Sequence, residues 1–380
     1  MEKPVKVPMS RLTDDLIAEI LSRVPYKSLC ICKCVCPAWR DLIADPAHRK
    51  KVVQTLAGFF YRITGEVTAV KYADLSAFPW SSVPKTYPRL PLPTDNNFFS
   101  LEDSCDGLFL ARIRTGTPAG KFRYMVSNPA TNEYTVLPDS GSAGNICLAY
   151  LGFDSDVSTQ EFHVFEFVLV LREPSLVVRG VNIYSSKTVA WVAMEPKWDI
   201  QVTLCWRKPG VFRKGFLHLL IGQFGLAILD AEGLTWRIIP LPVVESVNPC
   251  FSGFIGKSAG QLIYIDRGAI EGHGSNALLT ISVYVLGAEI CQWDVTHLDD
   301  KCMRWKLLHK LSNVLRRRCF GSLIGRMNWL HTIWIVMRST IVYHIHIEPN
   351  YWQFMNFFPY VPSLSRLPLD GGIQLATPNQ

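Results

Sequence analysis

Charge is scarce in this chain. Of 380 residues 19% are acidic or basic, against 48% hydrophobic, a balance that excludes a disordered polyelectrolyte and fits a globular protein. The net charge of +7 is modest, and its sharpest concentration is Arg316-Arg317-Arg318. No continuous basic stripe interleaved with aromatics accompanies that run, so it reads as a solvated turn and nucleic acid is not an expected partner. The opening MEKPVKVPMSR lacks the apolar run of a secretory signal, which gives a cytosolic or nuclear expectation. Cysteine is not scarce, but its count of 11 is odd. In a reducing compartment these are expected as free thiols.

Catalytic signatures are also missing. There is no Gly-x-Ser-x-Gly elbow, no zincin helix and no phosphate-cradling glycine loop; FSGFIGKSAG (251–260) holds Gly256-Lys257-Ser258 without the Walker spacing. Cys30, Cys32, Cys34 and Cys36 alternate in CICKCVC, but side chains two apart on a helix point about 200° from one another and do not converge on one ion. They read as small packing residues. His344 and His346 share a strand face, yet Pro349 follows Glu348 at once and no third ligand is evident. No cofactor and no metal are expected. Residues 327–347 are apolar enough to suggest a membrane span, but Arg338, Ser339 and Thr340 fall in the middle and β-branched residues dominate, so two strands joined there fit better and no membrane partner is expected.

What is present is concentrated at the N-terminus. Leu12, Leu16, Ile17, Ile20, Leu21 and Val24 recur at helical spacing, with Thr13 as cap, Asp14 and Asp15 on the positive end, and Pro25 as stop. A second short helix fits Lys27 to Val35. A third fits Ala38 to Ala44, with Trp39, Leu42 and Ile43 inward and Asp45-Pro46 closing the unit. Some 35 residues in three short helices fall below the size at which a core holds alone, so a partner is expected to complete it.

From Gly58 onward the pattern changes to short apolar runs broken by Gly, Pro, Asn and Asp, which is strand-and-turn grammar. Five stretches share a strand, a polar turn, an aromatic and a second strand: 125–138, 181–194, 227–242, 284–298 and 344–359. Their aromatics are Tyr134, Trp191, Trp236, Trp293 and Trp352, spaced by 57, 45, 57 and 59 residues. A loose period near 50 predicts an all-β, Kelch-like β-propeller of about six blades, with seven possible on length and one or two β-sandwiches as the alternative. The expected division is a flexible 1–10, a helical unit at 11–50, a β domain at 51–370 and a flexible tail at 371–380.

The run L-x-x-D-L-x-x-x-I-L-x-R-V-P, then K-S-L, then C-V-C-x-x-W-R-x-L-I-x-D-P, resembles the F-box, with Thr13 where that family usually has proline. The β region resembles the F-box-associated propeller of plant F-box proteins. Its carriers are GFFYR (58–62), DSCDGLFL (103–110), VSNPATNEYTVLP (126–138), LGFDS (151–155), EFHVFEF (161–167), FRKGFLHLL (212–220), TWRIIPLP (235–242) and FPYVPSLSRL (358–367). The resemblance implies a small all-α F-box followed by an all-β propeller. It implies a non-catalytic substrate-recognition subunit that binds a Skp-type adaptor and, through it, a cullin and a RING subunit, while the β domain recruits a target protein for ubiquitylation. Leu12, Leu16, Ile20, Leu21, Pro25, Leu29, Trp39 and Leu42 are the expected adaptor anchors. An F-box scaffold acting outside ubiquitylation, and a glycan-binding or enzymatic propeller, stand as alternatives.

Overall fold

A computed structural model of the chain describes residues 12–24, 26–45, 58–62, 70–74, 90, 99–114, 122–142, 144–155, 161–173, 175–205, 208–223, 225–242, 253–258, 261–271, 278–288, 303–311, 356–360, 367 and 374–375. The start is helical: α1 (Asp14–Ser22), α2 (Tyr26–Cys32) and α3 (Pro37–Ala44). Asp14 and Asp15 lie in the first turn of α1, where they oppose the helix dipole. Thr13 takes the N-cap position, but its side chain makes no capping hydrogen bond; its carbonyl accepts from the N–H groups of Leu16 and Ile17. A real side-chain cap occurs on α3, where Cys36 Sγ accepts from Trp39 N at 3.5 Å and Pro37 opens the helix. Cys36 is thus a cap rather than a packing residue. Cys34 is exposed, and Cys32 alone of the described alternating thiols packs against the helical core.

The remaining described elements are strands. In chain order they are β1 (Gly58–Arg62), β2 (Val70–Asp74), β3 (Phe99–Cys105), β4 (Leu108–Arg114), β5 (Phe122–Asn128), β6 (Glu133–Val136), β7 (Ile146–Phe153), β8 (Phe162–Arg172), β9 (Ser175–Ser185) and β10 (Ala190–Met194). They continue with β11 (Val211–Arg213), β12 (Phe216–Ile221), β13 (Gly225–Asp230), β14 (Trp236–Pro240), β15 (Phe254–Ser258), β16 (Gln261–Glu271), β17 (Leu278–Ala288), β18 (Met303–Leu311), β19 (Asn356–Tyr360) and β20 (Gln374–Leu375).

They form antiparallel meanders: β3–β6, β7–β10, β11–β14 and β15–β18 each make one sheet of consecutive strands. A fifth sheet, β19-β1-β2, joins the two ends of the β region, and β20 adds to the outer side of β6. Residues 374–375, expected in a flexible tail, are therefore a strand. Among the described residues the fold is β-propeller-like, with four sheets of four or more strands and a fifth of three, not six blades. The estimate of six divided chain length by a uniform period, but the first strands of these sheets begin at 99, 146, 211 and 254, which is not uniform.

The core lies between sheets, which is why a radial arrangement fits better than a pair of sandwiches. Along β4, Leu108 and Leu110 pack toward the β7–β10 sheet, while Phe109, Ala111 and Ile113 pack toward the β19-β1-β2 sheet. Along β8, Phe162 and Val164 face back to the β3–β6 sheet and Phe165 and Phe167 face on to β11–β14. The period of two sends alternate side chains into consecutive junctions, so both faces of the β3–β6, β7–β10 and β11–β14 sheets are covered by neighbours. Gly152 on β7 lets Phe212 of β11 come close; a Cβ there would meet that ring at 2.9 Å.

The recurrent aromatics mark one structural position. Tyr134, Trp191 and Trp236 all lie on the fourth strand of their sheets: β6, β10 and β14. In the next sheet the fourth strand is β18, where Trp305 pairs with Leu286. Trp293, Trp352, His344, His346, Arg316–Arg318 and the apolar run 327–347 lie outside the described residues. Among the described residues no helix is long and apolar enough to cross a membrane. Free thiols are found at Cys32, Cys34, Cys36, Cys105 and Cys147, but Cys205 is disulfide-bonded, contrary to the expectation of free thiols throughout.

Candidate functional site

The helical module sorts seven of the eight expected anchors into two groups. Leu21 and Leu29 are buried and, with Ile43, form the module's own small core; Trp39 and Leu42 pack against that core and are partly covered. Leu12, Leu16 and Ile20 face outward, Leu16 and Ile20 being 52% and 54% exposed and one helical turn apart on α1. Pro25 lies outside the described residues. Sequence spacing missed two further exposed apolar residues, Ile31 at 69% and Val35 at 61%, because a period cannot tell an inward stripe from an outward one. α1 thus carries two apolar stripes: Ile17, Ala18 and Leu21 serve the module, and Leu16 and Ile20 serve nothing within it.

In the β region, the hairpin turns between the first and second strands of successive blades meet. Asp106-Gly107 and Lys214-Gly215 both take paired positive φ (42° and 89°, 50° and 83°), the geometry of a tight two-residue hairpin. Lys257 Nζ on β15 lies 3.3 Å from Asp106 Oδ2 and 3.5 Å from Asp154 Oδ1. Asp106 also accepts from Ser155 N and Oγ, and Asp154 Oδ2 accepts from Lys214 N at 2.8 Å. Four blades are tied together by one ammonium and two carboxylates, with Asp106 and Lys257 about a fifth exposed. Such a partly open, charged rim can read polar groups on a partner.

Deeper in, the same strands are stitched by buried groups. Asp103 on β3 accepts from Leu151 N on β7 at 2.9 Å, and Cys105 Sγ donates to Phe153 O at 3.0 Å. Burial raises the Asp103 carboxyl to about 7 and pushes the Cys105 thiol well up, which favours the neutral form of both. His218 on β12 is held by Val211 O at 3.1 Å and lowered to about 4 by desolvation, which keeps it neutral. Glu166, fully buried on β8, accepts from Tyr124 Oη, Ser140 Oγ, Ser142 Oγ and Asn182 Nδ2 at 2.7–3.1 Å. Among the described residues no group of three or more His, Cys, Asp or Glu is placed to hold a metal.

The motif carriers touch one another. DSCDGLFL supplies Asp103, Cys105 and Asp106, LGFDS supplies their partners and Asp154, FRKGFLHLL supplies Lys214 N, and EFHVFEF supplies Glu166. Comparison with known proteins agrees with that order. The F-box domain family matches residues 9–51, and the F-box associated beta propeller domain family matches residues 85–225.

Similar proteins from Arabidopsis thaliana include the F-box protein At5g07610, 26% identical over 76% of this chain and 70% of that one. The putative F-box protein At3g16210 is 26% identical over 47% of this chain and 46% of that one. The putative F-box/kelch-repeat protein At3g17540 is 23% identical over 62% and 60%. The matches thus span from about half to seven tenths of the length of these relatives. A solved bacterial protein of unknown function from Dyadobacter fermentans aligns at 13% identity over 56% of this chain and 82% of that one, with a TM-score of 0.28, too low to bear on the fold. The chain thus matches an F-box domain at the N-terminus followed by an F-box associated beta propeller domain, and it is similar to these Arabidopsis F-box proteins.

Proposed function

We propose that this chain is a non-catalytic substrate-recognition subunit of a Skp–cullin–F-box ubiquitin ligase. The observation that carries the reading is the outward apolar stripe of α1, Leu16 and Ile20, beside a module whose buried apolar set among the described residues is Ala18, Leu21, Leu29 and Ile43. A Skp-type adaptor covering Leu12, Leu16 and Ile20 supplies the surface that the module lacks, and interface energy concentrates in a few such residues. Ile31 and Val35 extend the candidate contact set. The blades hold a target protein, with the charged rim at Asp106, Asp154 and Lys257 as the candidate contact. The cullin and RING subunits join through the adaptor, and transfer of ubiquitin follows from holding target and charged carrier together.

The test uses the full chain. Leu16→Asp with Ile20→Asp leaves the buried residues in place and is expected to weaken Skp-type adaptor binding at least 100-fold, while the thermal unfolding of the blades stays where it was. Adaptor binding at wild-type strength in this double variant overturns the docking face. Ubiquitin transfer to a captured partner in the reconstituted complex then tests the ligase role; capture without transfer assigns the chain to scaffolding instead.

A further inference from the structure

The outer strands of the four blades differ in how they treat their free edge. Unpaired edge backbone is a template for another strand, and natural sheets guard it with cover, charge or proline. Among the described residues β6 has β20 hydrogen-bonded against it. β14 carries Arg237 and ends in Pro240, and β18 carries Arg304, Lys306 and Lys310. β10, Ala190–Met194, has the sequence Ala-Trp-Val-Ala-Met, with no charge and no proline. No described strand pairs with it other than β9. Ala190, Val192 and Ala193 are exposed, Val192 at 50%, whereas the described residues of β6 are buried or half-buried.

The strand is also complementary to itself. In antiparallel pairing about a two-fold axis at Val192, Ala190 meets Met194 and Trp191 meets Ala193, so each large side chain faces a small one across the ladder. Val192 meets its own copy, and the five-residue ladder places no charge opposite another. The β20–β6 pair shows that an outer blade strand of this fold accepts one more antiparallel strand. We propose that β10 is an isologous contact through which two copies of this chain pair, edge to edge, across a two-fold axis at Val192. The pairing brings two helical modules into one assembly, so that two adaptors are carried per dimer if the proposed function holds.

Sedimentation velocity on the full chain across the micromolar range tests this without any adaptor, so its outcome is separate from that of the docking face. A concentration-dependent monomer–dimer equilibrium is expected. Val192→Lys and Val192→Glu, each alone, put like charges opposite one another and should weaken the dimer at least tenfold with unchanged melting. Mixing the two variants should restore a dimer containing one of each, which a merely damaged blade would not do. A wild-type chain that stays monomeric, a dimer that survives Val192→Lys, or a mixture that fails to pair overturns the proposal.

Discussion

The helical module and the blades spend the same kind of residue in opposite ways. The core between the β7–β10 and β11–β14 sheets alone buries a run of large side chains from Tyr150 to Leu229, all satisfied by the neighbouring blade. The module buries Leu21, Leu29 and Ile43 and leaves Leu16, Ile20, Ile31 and Val35 outside. Apolar surface left in water is a cost that only burial removes, at about 25 cal/mol per Å². A region whose apolar faces are already paired gains little from a partner through them, and a region with unpaired faces gains much. On the proposed function, the blades engage a target through rims and edges, and the module engages an adaptor through its apolar stripe. The two should respond to different insults.

The largest expected separation is at Glu166. Removing its carboxylate takes the acceptor away from Tyr124, Ser140 and Ser142, and leaves Asn182 only its bond to Ser142 Oγ. Glu166→Ala should cost the blades about 3–5 kcal/mol in denaturant unfolding. Glu166→Gln, which keeps an acceptor oxygen, should cost less. Adaptor binding through α1 should be unchanged in both. A Glu166→Ala chain as stable as wild type breaks the picture of blades locked by buried polar groups.

Glu166 also shows where sequence reading stops. EFHVFEF was visible as a strand carrying two glutamates, but strand alternation gives only which side Glu166 faces, not that four donors from β5, β9 and the 137–145 loop converge there. Thr13 failed as a side-chain cap for a similar reason: residue type gives the capacity, and rotamer and backbone decide its use. The three helices and the strand grammar were legible because periodicity is local. The aromatic after the hairpin was legible as a repeat, and its meaning, the fourth strand of a blade, needed the pairing. Blade number was not legible, since loop lengths between blades obey no period. Of the adaptor anchors, Leu16 and Leu21 share one apolar pattern, and only the packing of α1 separates the outward from the inward.

A second difference between the regions is in pH. The charged side chains of α1 are exposed, whereas Asp103 and His218 are buried among blade strands. The Asp103 carboxyl is raised from 3.8 to about 7, so the stability it contributes is full below the unfolded value and lost as pH rises through about 7. His218 is lowered from 6.5 to about 4, so its contribution is present above the unfolded value and lost as pH falls through about 4. Between these limits the two slopes oppose, each about 1.4 kcal/mol per pH unit, and cancel. Asp103→Asn should unmask the histidine, making the blades about 3 kcal/mol less stable at pH 4 than at pH 6.5 relative to the wild-type profile. His218→Asn should tilt the profile the other way by a similar amount. Urea unfolding across that range reads both, and two variants with wild-type slopes would show that neither group is desolvated.

The smallest effect sharpens the comparison from the side of strain. Every non-glycine residue with positive φ among those described lies in a blade turn: Asp106, Asn132, Val189 and Lys214. Three of these are types that tolerate or are commonly placed in turns; Val189, at φ 54°, is β-branched and immediately precedes β10. Its N–H still donates to Ser185 O at 2.9 Å, so the turn is held by backbone and the side chain only opposes it. The first blade uses Asn132, at φ 57°, in the same place just before β6. Val189→Asn should therefore stabilise the blades by about 1 kcal/mol, with the hairpin register and adaptor binding unchanged. A loss of stability instead would mean that packing of the half-buried valine outweighs its backbone strain. The first-blade turn would then not be a fair template for the second.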